Sequence, residues 1–220
     1  MIHVSSFLAK IIGGMNKYIF AYSEMLLFET NPQEYAFEEK TPENPAKIAT
    51  PKEIRSIALQ SAKERRVNAE QYLDTVEKRI KNGDLCFVIA NGENTFSYAW
   101  IAFNNFYINE ISMEIRLKLH EVFLCDLYTF IKYRRRHYLH QVLSGIFKYL
   151  HDTGCKRVIG TTNRSNYKML GMIKKFGIKV KNSITFVSIK FLVFHKFLIR
   201  EKHESEIEGI LSDLRYRRPS

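Results

Sequence analysis

A strand, a helix and a second strand follow one another in the second half of the chain, and this succession constrains the fold more than any other feature. Residues Glu121–Phe130 are mostly apolar and aromatic, as is typical of a strand. Over Leu139–His151 the apolar residues recur at helical spacing, Gly154 ends the pattern, and Arg157–Thr161 is again strand-like. Because neighbouring parallel strands need a crossover connection, usually a helix, the sequence predicts a βαβ unit.

The remaining segments predict an α/β (α+β) fold with much antiparallel pairing. They predict a helix near residues 7–15, a strand or two at Lys17–Thr30, a loop at Asn31–Thr50, one or two helices over Pro51–Asn82, strands at Leu85–Ala90 and Thr95–Phe103, a loop at Asn104–His120, a helix at Tyr167–Phe176, two strands within Ile178–Ile199 and a tail helix near residues 205–214. Pro51 suits the first turn of a helix, and Gly83 and Gly177 suit the residue that ends one.

Composition narrows the class of protein and its partners. The 220 residues suit one compact domain with terminal extensions. The 34 Lys and Arg exceed the 23 Asp and Glu, and the net charge of +11 favours nucleic acid, membrane lipid or a phosphate-rich cofactor. We expect the three cysteines to be buried free thiols, and the scattered histidines predict no metal site. No stretch is long and apolar enough to span a membrane, so we expect a cytoplasmic protein.

The turn inside the predicted βαβ unit carries three consecutive arginines, Arg134, Arg135 and Arg136. N–H groups without helical partners point outward at the start of the following helix, together with the positive end of its dipole, and form an anion cradle. Arginines add charge-assisted donors that suit a pyrophosphate or a ribose phosphate. A solvated basic patch, or one that binds a nucleic-acid backbone, explains the same charges.

Two segments resemble the GNAT acetyltransferase family. Residues Asp126-Leu127-Tyr128-Thr129 and Tyr133-Arg134-Arg135-Arg136-His137-Tyr138-Leu139 look like the family's fourth strand and its R/Q-x-x-G-x-G/A cofactor loop. Asn166, eleven residues before Gly177, is similar to the family's N-x-x-S/A…G-F segment. The resemblance covers about Pro51–Ile189 and implies a GNAT-like mixed, mostly antiparallel central sheet flanked by helices. The chain departs from the pattern at His137, where glycine is usual, at Leu139, where a small residue is usual, and at Ile178, where Phe is usual.

The resemblance implies a site for acetyl-CoA or another acyl-CoA at the βαβ unit. Tyr128 and Thr129 would pair with the pantetheine arm along a bulged strand, and Asn166 would face the same arm. The pyrophosphate would lie on Arg134, Arg135, Arg136, His137, Tyr138 and Leu139. Because glycine permits unusual dihedrals and close approach of the backbone, His137 predicts a narrowed cradle or weaker binding.

Amine acylation needs a base that removes the ammonium proton, and Glu121 and Asp126 are the carboxylates on the predicted strand. They point to opposite faces of the strand unless a bulge intervenes. A solvated strand-end carboxylate explains Glu121 equally well, and for Asp126 a buried partner of an arginine is the favoured interpretation. Seven residues after its motif Asn the family commonly has a Tyr that acts as acid, and this chain has Ile173, although a CoA thiolate can leave without one.

The preferred hypothesis is an acyl-CoA-dependent N-acyltransferase, in particular an N-acetyltransferase, acting on a primary amine. The chain also looks similar to GNAT proteins of surface-polysaccharide synthesis in its N-terminal helix and strand, its Tyr98-Ala-Trp100 strand and its Asp126…Tyr128-Thr129 signature. This similarity makes an amino sugar the first acceptor to consider. One alternative is a catalytically silent GNAT-like module that binds nucleic acid through its arginines. The other is an acetyltransferase with a macromolecular acceptor, in which Phe103, Phe106 and Tyr107 line a cleft, although core packing explains them too.

We expect three parts along the chain. Residues 1–50 would be an N-terminal helix, strand and loop packed on the domain, residues 51–199 the acyltransferase domain, and residues 200–220 a basic tail. Either a monomer or a homodimer is compatible with the sequence, because a long apolar C-terminal strand would need a covered edge.

Overall fold

The computed structural model describes residues 20–35, 45–92, 94–108, 113–189 and 194–201, which divide into two compact units. Residues 29–160 form one unit, and the described residues before 29 and after 160 form the other. The helices predicted near residues 7–15 and 205–214 lie outside the described residues. The predicted domain boundaries stay predictions.

The elements alternate between strands and helices along the chain. The strands are β1 (Phe20–Thr30), β2 (Lys47–Ile48), β3 (Leu85–Asn91), β4 (Asn94–Ala102), β5 (Phe106–Ile108), β6 (Met113–Ile115), β7 (Glu121–Thr129), β8 (Arg157–Asn163), β9 (Lys179–Ile189) and β10 (Phe194–Glu201). The helices are α1 (Pro51–Arg65), α2 (Ala69–Lys81), α3 (Tyr138–Asp152) and α4 (Tyr167–Lys175), with 3-10 turns at Pro32–Glu34 and Ile131–Tyr133.

The sheet of residues 29–160 has the strand order β2-β3-β4-β7-β8. The pairs β2–β3, β3–β4 and β4–β7 are antiparallel. β7 and β8 are parallel from Glu121↔Arg157 to Leu124↔Gly160, and α3 connects them. The predicted βαβ unit and the mixed, mostly antiparallel sheet are therefore confirmed.

Helices cover both faces of this sheet. Phe87 on β3 packs against Tyr149 of α3, with ring centroids 5.3 Å apart. Tyr98 on β4 accepts a 2.9 Å hydrogen bond from Ser61 of α1. Phe87 faces Ala99 across the strands, and successive side chains alternate between faces, so Tyr98 points away from α3. α1 and α3 therefore lie on opposite faces.

Local signals start and stop the two helices before β3. Thr50 forms a capping box with Glu53, and Pro51 occupies the first turn, where its missing N–H would have no helical partner. α2 begins after the Asn68 cap and is followed by Gly83, whose φ of 82° is left-handed. The long helical segment predicted here is thus two helices.

A short hairpin, β5 with β6, lies within the segment predicted as a loop. Each strand has three residues, which is too few for a periodic pattern to be recognised. Phe106 of β5 stacks on Phe123 of β7 at 4.2 Å between ring centroids, and this contact anchors the hairpin. Phe106 thus packs against the sheet, whereas its neighbour Tyr107 is 52% exposed.

In the other unit, β9 lies between β1 and β10 in the sheet, and α4 precedes β9 in the chain. β9 and β10 are antiparallel from Asn182↔Glu201 to Ile189↔Phe194, which confirms two strands in the C-terminal apolar segment. Gly177 follows α4 with a φ of 63°, as predicted for a residue that ends a helix.

The three cysteines, Cys86, Cys125 and Cys155, are free and buried, as predicted. Burial raises the pKa of each thiol, so all three stay protonated near neutral pH. Among the described residues no helix is long and apolar enough to cross a membrane, and no cluster of His, Cys, Asp or Glu could hold a metal ion.

Candidate functional site

β7 carries a bulge at Asp126. The register with β4 passes from Trp100↔Cys125 to Tyr98↔Tyr128, so two residues of β7 oppose one residue of β4. Asp126 is the first of the two, and its φ of 49° is left-handed. A bulge bends its strand and increases the local twist. The bulge that the family resemblance implied is therefore present. The parallel register with β8 ends at Leu124, just before the bulge.

The loop from β7 to α3 contains two left-handed residues. Arg135 has a φ of 67°, and His137 has a φ of 59° and a ψ of 9°. His137 is the N-cap of α3, and its side chain makes no capping hydrogen bond. At this position the GNAT loop usually has glycine, so His137 adopts dihedrals that glycine adopts at lower cost. The backbone N–H groups of the first turn of α3, which have no helical partner, come immediately after His137 in the chain.

All three loop arginines have exposed side chains, but they differ in their contacts. Arg134 turns back toward β7, where its Nε donates to the Thr129 carbonyl oxygen at 3.2 Å and its Nη2 to the Tyr128 hydroxyl at 3.4 Å. Within the described part of the chain, Arg135 and Arg136 show no hydrogen bond of this kind. The loop therefore presents two guanidinium groups to solvent, while the third contacts the strand.

Tyr128 and Thr129, the predicted pantetheine residues, are bonded to β4 and α1. Ser97 Oγ hydrogen-bonds both the Tyr128 carbonyl oxygen and the Thr129 hydroxyl at 2.9 Å. The Tyr128 hydroxyl donates to Glu64 at 3.0 Å, and Glu64 also accepts the Ile131 N–H at 3.1 Å. Burial, followed by this hydrogen bond, raises the pKa of Tyr128. Glu64, which the sequence did not single out, thus holds the Tyr128 ring beside the loop.

Tyr138 and Leu139, at the start of α3, have half-buried side chains. The Tyr138 ring packs against Phe96 of β4, with centroids 4.7 Å apart. Both residues can therefore serve a bound anion through their backbone N–H groups, which need no particular side chain.

A buried ion cluster surrounds the carboxylate at the bulge. Arg65 Nη1 lies 2.7 Å from Asp126 Oδ1, and Arg79 Nη1 lies 2.8 Å from Oδ2. The Tyr72 hydroxyl donates to Oδ2 at 2.8 Å. The Asp126 side chain is 9% exposed, against 26% for Arg65 and 18% for Arg79. Asp126 is therefore a buried partner of arginine, as the favoured interpretation of the sequence held. It pairs with two arginines, where the sequence predicted one.

This cluster makes Asp126 a weak base. Burial works to raise the pKa of the carboxyl, but the charges of Arg79 and Arg65 outweigh it and hold the pKa below its ordinary value. A carboxylate of low pKa is a poor acceptor for an ammonium proton. Burial and then the Asp126 charge raise the pKa of Tyr72 to about 12, so its hydroxyl stays a donor.

Glu121 lies at the end of β7 that is remote from the loop. Its carboxylate accepts the Lys118 N–H at 2.9 Å and the Arg157 guanidinium at 3.0 Å, and Arg157 also pairs with Glu29. These contacts, the backbone hydrogen bond first, lower the pKa of Glu121. Glu121 and Asp126 are thus both paired with arginine, and the catalytic role of either stays a prediction.

Comparison with proteins of known structure identifies the fold of this chain. No protein-family model matches the sequence, and no curated protein matches it. A GCN5-related N-acetyltransferase from Sphaerobacter thermophilus superposes with a TM-score of 0.55 at 12% identity, over 88% of this chain and 56% of that one. A protein assigned to the GNAT acetyltransferases from Novosphingobium aromaticivorans gives 0.53 at 9% identity, over 83% and 66%. The chain has the GNAT fold.

A third structure, a conserved protein of unknown function from Staphylococcus epidermidis, superposes with a TM-score of 0.54 at 9% identity, over 82% of this chain and 65% of that one. The chain therefore spans 56% to 66% of the length of these three structures. Identities this low show the fold alone.

Within this GNAT fold, Asn166 belongs to the other compact unit. It is the N-cap of α4, and its side chain accepts the Met169 N–H at 3.3 Å, a local role that asparagine commonly has. Its assignment to the pantetheine arm stays a prediction. Ile173, at the position of the family's Tyr, is fully buried and offers no acid.

Sequence reasoning missed the partners of Asp126, although α2 carried a signal for two of them. Tyr72 and Arg79 lie four residues before and three residues after the buried Val76, so they share its helical face. A charged residue on an apolar face needs a buried counter-charge or hydrogen bond. That requirement predicts a partner on the sheet without naming it.

Proposed function

We propose that this protein is an acyl-CoA-dependent N-acyltransferase, in particular an N-acetyltransferase, with its cofactor where β7 leads into α3. The supporting observation is the conjunction of a bulged strand, a loop with two left-handed residues and two solvent-facing arginines beside a helix start. Strand backbone suits the amides of a pantetheine arm, and helix N–H groups with guanidinium groups suit its phosphates. The GNAT fold is consistent with this division of roles.

The phosphates of the cofactor would be held by the loop and the first turn of α3. Arg135 and Arg136 supply the charge, and Arg134 keeps Tyr128 in place beside the strand. Because His137 has the dihedrals that glycine would supply, the backbone keeps its path without glycine. The loop therefore supports phosphate binding despite its departure from the family pattern.

In the proposed reaction the amine nitrogen attacks the thioester carbonyl carbon, the C–S bond breaks and the CoA thiolate leaves. Asp126 and Glu121 are both paired with arginine and hold protons weakly. The amine would therefore lose its protons to water rather than to either carboxylate. Position 173 carries no acid, so the thiolate would leave unassisted and be protonated by solvent.

The narrower proposal for the acceptor is a primary amine of a small molecule, with an amino sugar first. It rests on the sequence resemblance to proteins of surface-polysaccharide synthesis. Tyr98 and Trp100, part of that resemblance, are 0% and 1% exposed, so their role is packing. Thiol release from acetyl-CoA, measured over a panel of amino sugars, other small amines and peptides with a free N-terminus, would identify the acceptor class.

The experiment for the cofactor is calorimetric titration with acetyl-CoA at low and at moderate salt. The loop variant is Arg135→Gly with Arg136→Ala, because glycine keeps the left-handed conformation of position 135. The matched control is Lys78→Ala with Lys148→Ala, which removes the same charge from two exposed helical ion pairs of little energetic weight.

Micromolar binding at both salt concentrations, weakened at least about tenfold in the loop variant and kept in the control, supports the proposal. No binding at either salt contradicts it. Exposed Arg135 and Arg136 also suit the alternative of a catalytically silent module that binds nucleic acid. That alternative predicts binding of RNA or DNA that weakens steeply with salt, since phosphate contacts release counterions.

A further inference from the structure

Asp126 combines a left-handed backbone in the middle of a strand with a carboxylate enclosed by cations. Positive φ is uncommon for residues other than glycine, and Asp and Asn are among those that tolerate it best. β7 continues as a strand on both sides of this residue, so the irregularity is confined to one point. At that point the side chain is 9% exposed and is contacted by three donors.

The donors to this carboxylate come from both helices of one sheet face. Arg65 is the last residue of α1, Tyr72 lies in the first turn of α2, and Arg79 lies in its last turn. Arg65 also donates to the Tyr98 hydroxyl at 2.8 Å, and the Arg79 guanidinium lies 5.3 Å from the Trp100 ring centroid. We call the Asp126 carboxylate with these three donors the carboxylate clamp; it is fixed to α1, α2 and β4 at once.

Fixing the carboxylate oxygens restricts the backbone that carries them. Only the Cα–Cβ and Cβ–Cγ bonds separate the backbone of Asp126 from its carboxylate, so few rotamers satisfy three donors. The peptide group that follows is planar, and its direction is set by the dihedrals of Asp126. Strand pairing can otherwise shift its register, and a bulge can move with it. The carboxylate clamp therefore allows one register of β7 and one position of the bulge.

We infer that Asp126 is a positioning residue: the carboxylate clamp fixes the bulge, and the bulge directs the β7 backbone toward the acyl thioester. The identity of the ligand rests on the proposed acyl-CoA function, whereas the clamp is a property of the chain alone. Asp126 acts through the backbone and transfers no proton.

The first test uses Tyr72→Phe, which removes one donor and leaves both arginines paired. Lys78→Ala, on the same helix but in an exposed ion pair, is the control. Hydrogen exchange of the Leu127 and Tyr128 amides, followed by NMR, should accelerate about fivefold in Tyr72→Phe and stay unchanged in the control. Unchanged exchange in Tyr72→Phe overturns the clamp, whatever happens to activity.

The second test separates positioning from base catalysis. Asp126→Asn keeps the shape and the tolerance of positive φ but turns an amide N–H₂ toward an arginine. Positioning predicts a loss of about 100-fold in kcat/KM with an unchanged pH profile, and a smaller loss in the same parameter for Tyr72→Phe. A base would instead lose the acid limb of the profile in Asp126→Asn and move that limb to higher pH in Tyr72→Phe, because the hydrogen bond that is lost lowers the pKa of Asp126; this outcome overturns the inference.

The two proposals fail in different ways. If wild-type protein does not bind acetyl-CoA while exchange accelerates in Tyr72→Phe, the proposed function is wrong and the clamp stands. If Asp126→Asn does not fold, the exchange measurement on Tyr72→Phe and its control still decides the clamp.

Discussion

Asp126 and His137 both have a positive φ, of 49° and 59°, but their side chains lie in opposite environments. The Asp126 carboxylate is buried and accepts bonds from two arginines and a tyrosine. The His137 side chain is exposed and makes no capping hydrogen bond. At Asp126 the contacts of the side chain therefore hold the left-handed backbone, whereas at His137 the surrounding loop imposes it.

This difference gives one substitution two opposite effects. Glycine removes the strain of positive φ at both positions, so both glycine variants gain stability from this source. Only at Asp126 does glycine also remove a charge on which two buried cations depend. Replacement by glycine should therefore destabilise the protein at Asp126 and stabilise it at His137.

The largest effect is expected for Asp126→Gly. Removing one partner of a buried ion cluster leaves Arg65 and Arg79 without their counter-charge and costs about 3–5 kcal/mol, which exceeds the relief of about 1–2 kcal/mol from the relaxed φ. Urea unfolding at neutral pH measures the change, with Asp74→Ala, in an exposed ion pair, as the control. A loss below about 1 kcal/mol would show that the clamp does not hold the fold together.

The pH dependence of the same cluster has a defined sign. The pKa of Asp126 is lowered in the folded state, so its contribution to stability is full above the unfolded value of about 3.9 and disappears as pH falls through the folded value. The stability difference between wild type and Asp126→Asn should therefore shrink only in acid.

The next largest effect is expected at Asp84, a second buried carboxylate near Arg79. Asp84 is 8% exposed, and no hydrogen-bond partner of its Oδ1 is found among the described residues. Burial, opposed in part by Arg79, raises the pKa of Asp84 to about 6. Because this exceeds the unfolded value of about 3.9, ionised Asp84 destabilises the fold by about 3 kcal/mol at neutral pH, and the cost grows as pH rises from about 4 to about 6.

Asp84→Asn should remove that cost. We expect a gain of about 3 kcal/mol in the free energy of unfolding at neutral pH and almost none at about pH 4. Equal gains at both pH values would show that ionisation of Asp84 is not the cause. Asp126 and Asp84 would then show opposite effects of a buried charge on the free energy of unfolding. The carboxylate with a full set of donors stabilises the fold when it is ionised, and the one that lacks a donor destabilises it.

Most elements could be predicted because their signals are local. Thr50 with Pro51 starts α1, Gly83 and Gly177 end helices, and the βαβ unit follows from a change in periodicity. The β5–β6 hairpin could not be predicted, because three-residue strands contain too little pattern and a contact with Phe123 stabilises them. The fold was thus predictable where neighbours in sequence decide the structure.

The site was predictable only in part. The loop and the bulge came with the family resemblance, but the clamp joins Asp126 to Arg79 and Tyr72, 47 and 54 residues away. Such contacts depend on how helices pack on a sheet, which periodicity does not report. Nor could the left-handed conformation of His137 be predicted, because a residue other than glycine seldom adopts it.

A smaller effect is expected for Glu121→Gln, at the end of β7 that is remote from the loop. Its partner Arg157 is 43% exposed and keeps Glu29, so the loss should be about 1 kcal/mol or less. The pKa of Glu121 is lowered, so this loss should vanish in acid as pH falls through the folded value. If kcat instead falls by about 100-fold or more with stability unchanged, Glu121 is the catalytic base that the sequence predicted.

The smallest effect, and the one that completes the comparison, is expected for His137→Gly. Relief of positive φ is worth about 1–2 kcal/mol, and the greater freedom of glycine in the unfolded chain offsets about 0.4–1 kcal/mol, which leaves a gain of roughly 0.5 kcal/mol. His137→Val is the control, because a β-branched residue at positive φ should lower stability. Thermal unfolding of the three proteins measures the order Gly, His, Val, and a less stable glycine variant would show that the exposed imidazole has a structural role. Titration of the same proteins with acetyl-CoA then tests the imidazole alone. If affinity rises in His137→Gly, the imidazole narrows the cradle, and if affinity is unchanged, the imidazole takes no part in binding the phosphates.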